Sequence, residues 1–285
     1  MQFDSSFNMN AIILITSDRQ DDGGVTNRLD EDLQTIATAH EFIYYHEVIS
    51  SREHFIQFMG LIKDFVVRKN LKPMIHFHMH GGSEFGLEIG NTKDYISWSE
   101  LTGILRQINI CMLNELCVIS TACYAFNMIK EVAITQPSPY FCLVASQNEV
   151  KYGYIDDSAS KFYNTLLKNG DLVIAYDEIS DAFDFYQSER MLMISLAKYI
   201  LHNCKGKQKQ IRKEGLISKA ISGGVIDTPE SLKEMRKIIR DYITPNQALL
   251  NRYVDSFLIG KKIPITIDDI VSLVEKSYCK ARTKG

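Results

Sequence analysis

Two residues that can take part in covalent chemistry each follow an aliphatic run of the chain. His80 comes directly after Met74–Met79 and is followed by two glycines, and Cys123 comes shortly after Leu116–Thr121. A free thiol with a pKa of ~8.5 is only a few per cent thiolate at neutral pH, and a nearby imidazole can accept its proton. A histidine and a cysteine held side by side would therefore give a thiolate that attacks carbonyl carbon.

The elements that must position these residues are strands alternating with helices. Five runs are predicted to be buried strands: Ala11–Thr16, Phe42–Ile49, Met74–Met79, Leu116–Thr121 and Tyr140–Ser146. Helix starts lie between them, with capping-box spacing at Ser50 and Glu53 and again at Ser97 and Glu100. This alternation predicts an α/β fold, a doubly wound and mostly parallel sheet flanked by helices.

The predicted sheet would bring the two reactive residues together. In parallel α/β sheets, functional groups gather at the carboxyl ends of the strands, so we expect His80 and Cys123 to lie side by side. A helix over about 124–134 is predicted to begin at the cysteine, and a helix N-terminus favours a thiolate. The amides of Gly81 and Cys123 would then be placed to stabilise a tetrahedral oxyanion.

An ordered set of motifs resembles the caspase-like cysteine peptidases of clan CD, and most of all their CHAT branch, which is related to separase. The motifs are His76-Phe77-His78-Met79-His80-Gly81-Gly82, Gly86-Leu87-Glu88-Ile89, Ile96-Ser97-Trp98-Ser99-Glu100-Leu101, Val118-Ile119-Ser120-Thr121-Ala122-Cys123, Leu143-Val144-Ala145-Ser146 and Asp156-Asp157-Ser158-Ala159. The order of histidine and cysteine, 43 residues apart, also agrees with the caspase-type arrangement.

The resemblance implies a caspase-like fold and a cysteine endopeptidase that cleaves a specific protein partner without a cofactor. It implies His80 as the general base, Cys123 as the nucleophile and Gly81 as part of the oxyanion hole. Glu149, Asp156 and Asp157 follow the fifth strand and are candidate substrate-binding residues. The caspase signature Gln-Ala-Cys-x-Gly is absent around the cysteine, so aspartate specificity is not implied. Bacterial relatives of this type are often coupled to defence or programmed-death systems.

Two other functions remain open from the residues alone. The domain would serve as a catalytically silent scaffold if Cys123 were only a buried core residue, as cysteines often are. His76, His78 and His80 share one face of a strand and would suit a metal-dependent hydrolase. However, the usual additional aspartate and second-strand histidine are missing, so no metal site is predicted. Instead, we expect His76 and His78 to pack and form hydrogen bonds beneath the active site.

The distribution of charge divides the chain into two parts. Residues 205–285 contain 17 Lys and Arg and 9 Asp and Glu, whereas residues 1–204 contain 15 and 26. We therefore predict a peptidase-like domain over 1–204 and a basic, mainly helical region over 205–285. This region would bind a protein partner or regulator, pack on the acidic domain, or form a solvated Lys-rich surface. The basic stretch Lys205–Lys213 lacks interleaved aromatic residues, so nucleic acid binding is not expected.

The sequence shows neither a membrane span nor a signal peptide, and this predicts where in the cell the protein is found. The aliphatic run Ala11–Ile15 is far shorter than the ~20 residues of a membrane span. No Lys or Arg precedes it, as a signal peptide would require. Six cysteines without a Cys-x-x-Cys pair indicate reduced thiols. These features predict a cytoplasmic protein without membrane association.

Overall fold

A computed structural model describes residues 8–17, 23–90, 94–224 and 228–282, without the side chains of 23–25, 152, 153, 156, 157 and 276–282. Its strands are β1 Ala11–Ser17, β2 Ile43–Ile49, β3 Pro73–His78, β4 Gly81–Gly82, β5 Gly86–Ile89, β6 Asp94–Ile96, β7 Cys117–Ser120, β8 Cys142–Ala145 and β9 Asp184–Gln187. Its helices are α1 Gly23–Ala39, α2 Arg52–Lys69, α3 Trp98–Cys111, α4 Tyr152–Asn169, α5 Leu172–Asp177, α6 Ser188–Asn203, α7 Gly206–Ser222, α8 Pro229–Ile243, α9 Gln247–Ser256 and α10 Ile267–Arg282.

The main sheet has six strands in the order β2-β1-β3-β7-β8-β9. The first five are parallel, and β9 pairs with β8 in the antiparallel direction. The chain adds β2 on one side of β1 and then β3 on the other, so the winding reverses between β1 and β3. This arrangement confirms the predicted α/β class with a mostly parallel sheet flanked by helices.

Apolar side chains on the two faces of the sheet hold the helices in place. On one face, β1, β3, β7 and β8 pack against α1, α4 and α5 through a single buried cluster. On the other face, α2 and α3 pack together, and Phe55 of α2 lies 6.2 Å from Phe77 of β3, measured between ring centroids. The alternation of side chains along each strand explains why both faces are apolar.

Several local features of the fold differ from the sequence prediction. Ser51, and not Ser50, caps α2, since its side chain accepts a hydrogen bond from the His54 amide. Strands β4, β5 and β6 form a small antiparallel sheet, and β9 was also not predicted. These strands have two to four residues each, too few to give a periodic apolar pattern.

The contacts divide the chain into two compact units. The first contains residues 1–189 together with Ser256–Lys261, and the second contains 190–255 and 262–285. In the first unit, the amide of Ser138 donates to the carbonyl of Phe257 at 2.8 Å, and the Phe257 side chain is fully buried. The segment Ser256–Lys261 is thus part of the packing of the first unit. The boundary predicted after residue 204 stays a prediction.

The second unit is built from helices, as predicted for the region after residue 204. Thr228 caps α8 by accepting a hydrogen bond from the Ser231 amide, with Pro229 in the first turn. The apolar side chains of α7 and α8 form a small core of Ile217, Met235, Ile239 and Ile243. None of the described helices of either unit is both long enough and apolar enough to span a bilayer.

Candidate active site

A cavity of about 300 Å³ opens at the carboxyl edge of the main sheet. Ser17 ends β1, His78 ends β3 and Thr121 follows β7, and all three line it. The cavity therefore lies where the winding of the sheet reverses, which is where ligands bind in open α/β sheets. Its wall also contains the residues that the sequence singled out, His80, Gly81, Cys123 and Glu149.

The thiol of Cys123 is half-buried in this cavity and has a backbone partner. The amide of Val150 donates to its Sγ at 3.3 Å. Val150 follows β8 and also lines the cavity, so the loop after the neighbouring strand fixes the position of the sulfur.

The predicted helix at the cysteine is wrong. A short 3-10 helix spans only Ala125–Glu131, and Tyr124 before it has the left-handed φ of 62°. The chain turns there because the Tyr124 amide donates to the Asn148 carbonyl at 3.2 Å and the Phe126 amide to that of Ser146 at 3.0 Å. The first amides of this turn are thus used by the loop after β8, and the α-helix predicted to begin at the cysteine does not form.

Gly81 is in close contact with the backbone of the cysteine. A Cβ atom at this position would overlap the carbonyl oxygen of Cys123, so only glycine allows this approach. The Glu88 amide donates to the His80 carbonyl at 2.9 Å, and Gly81 is paired with Leu87 in the next register position. Hydrogen-bonded and non-hydrogen-bonded pairs alternate in an antiparallel ladder. The Gly81 amide therefore points away from β5.

Thr121 links the two histidines that precede His80 on the strand. Its Oγ1 lies 2.8 Å from Nδ1 of His78 and 3.4 Å from Nε2 of His76, and it donates to the Phe77 carbonyl at 3.3 Å. The hydroxyl thus contacts one nitrogen of each ring and ties the two histidines together.

His76 is fully buried beneath the cavity and stays neutral. Its Nδ1 lies 3.1 Å from the Tyr163 hydroxyl, and the two rings stack with centroids 5.8 Å apart. Burial, with a smaller contribution from the nearby His78, lowers the pKa of His76 to about 3. These contacts confirm the packing role predicted for His76 and His78.

The acidic candidates occupy different positions. Glu149 is exposed at the cavity wall, where its carboxylate accepts a hydrogen bond from the Tyr124 hydroxyl at 3.2 Å. Its charge is the main cause that raises the pKa of Tyr124. Asp156 and Asp157 belong to the backbone of α4, but their side chains lie outside the described residues. Glu149 is thus the acidic candidate that the structure places at the cavity.

The described side chains that could bind a metal are spread apart in the same geometry. Across the described residues, no group of three or more His, Cys, Asp and Glu side chains has an arrangement that would hold a metal ion. His76 is engaged with Tyr163 and Thr121, and one nitrogen of His78 is held by Thr121. The three histidines on one strand face therefore do not form a shared ligand set.

Comparisons with known proteins find similarity only among solved structures. No protein-family profile and no curated protein sequence matches the chain. Among solved structures, the chain is similar to a secreted C11 cysteine protease from Bacteroides thetaiotaomicron called iotapain. The identity is 10%, the match covers 68% of this chain and 71% of that one, and the TM-score is 0.46. The two chains share too little sequence and structure for this likeness to indicate an activity.

The sequence did not predict the roles of two groups in the site, a backbone amide and a threonine hydroxyl. The donor to the Cys123 sulfur is a backbone amide 27 residues away, and a main-chain group carries no signature in the sequence. Thr121 was assigned only to the end of a strand. Its place two residues before the cysteine, on the strand beside the histidines, is the one signal that pointed to it.

Proposed function

We propose that the protein is a cysteine endopeptidase in which Cys123 is the nucleophile and His80 the general base. The observation that carries this proposal is the single cavity lined by Cys123, His80 and Gly81 at the carboxyl edge of the sheet. The hydrogen bond from Val150 to the sulfur supports it, because it holds the sulfur in a fixed position at the cavity wall.

The mechanism follows from the roles of these groups. His80 accepts the thiol proton, and Sγ of Cys123 attacks the scissile carbonyl carbon to give a tetrahedral oxyanion. The amides of Gly81 and Cys123 stabilise that charge. The intermediate collapses to a thioester as His80 protonates the leaving amine. Water, deprotonated by His80, then hydrolyses the thioester and regenerates the thiol.

Glu149 gives this site a charge preference. A carboxylate at the cavity wall attracts a positively charged side chain next to the scissile bond. We therefore expect substrates with Lys or Arg at that position to be cleaved in preference to those with Asp. Glu149→Gln should reduce kcat/KM for the basic substrate about tenfold while leaving a neutral one unchanged, as for the loss of one charged contact. Equal loss on both substrates would contradict this role.

The proposed substrate is a specific protein partner inside the cell, in the cytoplasm, within a bacterial defence or programmed-death system. The motif resemblance supports this context. Asp156 and Asp157 remain proposed substrate-binding residues, and the basic helices of the C-terminal region are proposed to bind a regulatory protein. The mechanism requires neither metal nor cofactor.

Labelling with an electrophilic peptide probe tests the nucleophile. The matched control is Cys111, a second half-exposed free thiol of the same unit that lines a different cavity. We expect an acyloxymethyl ketone peptide to modify Cys123 and not Cys111, and His80→Gln to abolish the labelling. Equal modification of both cysteines, or labelling unchanged in His80→Gln, would refute the dyad.

Mapping new protein N-termini tests the activity. The wild type and Cys123→Ala are each co-expressed with neighbouring gene products, and cut sites are compared by mass spectrometry. Defined cuts found only with the wild type support the peptidase. Identical N-termini in both samples, together with an unmodified Cys123, would favour the catalytically silent scaffold instead.

A further inference from the structure

A second cavity lies entirely within the helical second unit. It has a volume of about 320 Å³ and is bounded by α6, α7, the end of α8 and the start of α9. Its walls include Tyr199, Arg212, Tyr242, Asn246 and Arg252. The volume falls in the range of small-molecule sites and is far larger than a single inorganic ion needs.

Positive charge dominates this cavity. Arg212 and Arg252 are part of its lining, and among the described residues no carboxylate belongs to that lining. The second unit as a whole contains 18 Lys and Arg against 9 Asp and Glu. A guanidinium offers its donors in a fixed fork that matches the oxygens of a phosphate group. The cavity is therefore suited to an anion of the phosphate type.

The first turn of α9 adds to this preference. The side chain of Asn246 caps the helix by accepting a hydrogen bond from the Leu249 amide at 2.9 Å. Asn246 and Ala248 both line the cavity, so the N-terminal end of this ten-residue helix borders it. The positive end of the helix dipole acts in the same direction as the two arginines.

Aromatic rings line the same cavity. The guanidinium carbon of Arg212 lies 5.2 Å from the centre of the Tyr199 ring, which holds the arginine by a cation–π contact. Tyr242 is 71% exposed and also belongs to the lining. Its ring is accessible for stacking with a planar group. The basic stretch of α7 lacks aromatic residues in sequence, and the fold brings them from α6 and α8.

We propose that this cavity binds a nucleotide-sized phosphorylated ligand, with its phosphate on Arg212 and Arg252 and its base against Tyr242. The site belongs to the second unit and does not depend on the proposed peptidase activity. A bare phosphate would leave most of the volume unfilled. A single-stranded nucleic acid presents the same phosphate and base chemistry, so the experiment separates it from a free nucleotide.

Isothermal titration calorimetry on the full chain tests the site with adenosine 5′-monophosphate, adenosine and inorganic phosphate. We expect the nucleotide to bind with a sub-millimolar Kd and both fragments at least about tenfold more weakly, since each makes only part of the contacts. Adenosine that binds as tightly as the nucleotide would overturn the phosphate assignment. The absence of nucleotide binding at millimolar concentration would overturn the site.

Two matched variants distinguish binding in the cavity from attraction by the overall positive charge of the second unit. Arg212→Gln should weaken nucleotide binding about tenfold or more. Lys219→Gln removes the same charge from an exposed position of the same helix, outside the lining, and should change the Kd less than about twofold. An equal effect of the two variants would show that binding depends only on net charge and would overturn the proposal.

Tyr242→Ala and a competition with single-stranded DNA complete the test. Because Tyr242 is mostly exposed, its loss should not disturb folding, and it should weaken nucleotide binding while leaving phosphate binding unchanged. Tyr242→Ala therefore tests the proposed nucleotide site even if Arg212→Gln does not fold. A short oligonucleotide that binds tightly, in a protein that shows no binding of the mononucleotide, would point to a nucleic-acid surface and refute the pocket.

Discussion

Replacing Thr121 by valine should destabilise the first unit, because the hydroxyl is the link between two buried histidines. Valine has nearly the same shape but no donor or acceptor. The most important contact that the valine variant loses is the hydrogen bond between the Thr121 hydroxyl and Nδ1 of His78, 2.8 Å long. The Phe77 carbonyl keeps the Thr121 amide at 3.0 Å, and His76 keeps its contact with Tyr163.

The magnitude follows from these three contacts. Depriving a buried polar group of its partner costs ~1–3 kcal/mol, and a hydrogen bond whose partner keeps another contact contributes ~1 kcal/mol or less. The sum for Thr121→Val is about 2–4 kcal/mol of unfolding free energy. With a urea m value of ~2 kcal/mol/M, the unfolding midpoint should fall by about 1–2 M.

The protein contains its own probe for this experiment. Its single tryptophan, Trp98, is buried in the first unit, so its fluorescence follows the unfolding of that unit. Thr121→Ser keeps the hydroxyl and is the matched control, expected within about 0.5 M of the wild-type midpoint after the loss of one methyl group. If the valine variant unfolds at the same urea concentration as the serine variant, the hydroxyl does not hold the histidines and the reasoning is wrong.

Three further perturbations have definite expected outcomes. Gly81→Ala would force a Cβ onto the neighbouring backbone carbonyl and should slow probe labelling of the cysteine about a hundredfold. Gly82→Ala is the control, since its Cβ meets only ordinary contacts, and it should leave the labelling rate unchanged. Burial lowers the pKa of His76 to about 3, so the folded state binds fewer protons than the unfolded state below pH ~6.5, and stability should fall as pH drops from 6.5 towards 3. Urea midpoints at pH 7 and 5 measure this, and a His76→Gln variant with the same pH dependence would contradict it. Lys261→Met removes a cation 4.0 Å from buried Glu189. Because breaking a buried ion pair costs about 3–5 kcal/mol, the urea midpoint should fall, and an unchanged midpoint would contradict this.

The strands that carry the site could be predicted because their residues are strongly apolar. Runs such as Met74–Met79 and Leu116–Thr121 are buried on both faces of the sheet, so composition alone marks them. Ser97 caps α3 as predicted, since a side chain that accepts from an amide three residues on leaves a local signature. These elements place His80 and Cys123 at one edge of the sheet.

The finer geometry of the site depends on contacts that are distant in sequence. The left-handed backbone at Tyr124 is held by the carbonyl of Asn148, and this contact replaces the helix expected there. A tyrosine rarely adopts positive φ, so the local sequence does not predict this turn. Likewise, β9 has only four residues, and its pairing with β8 rather than its composition makes it a strand.

The segment Ser256–Lys261 has a consequence for the order in which the chain folds during synthesis. Phe257 and Leu258 fill buried positions of the first unit, and Lys261 lies over the ring of Phe141, with Nζ 3.6 Å from its centre. A growing chain that has passed Glu189 still lacks these side chains until about 70 more residues are made, which takes roughly 4–14 s at the usual rates of translation. The nascent protein therefore completes its first unit only after most of the helical region has been synthesised. Folding of the first unit is thus coupled to synthesis of the helical region that precedes Ser256 in the chain.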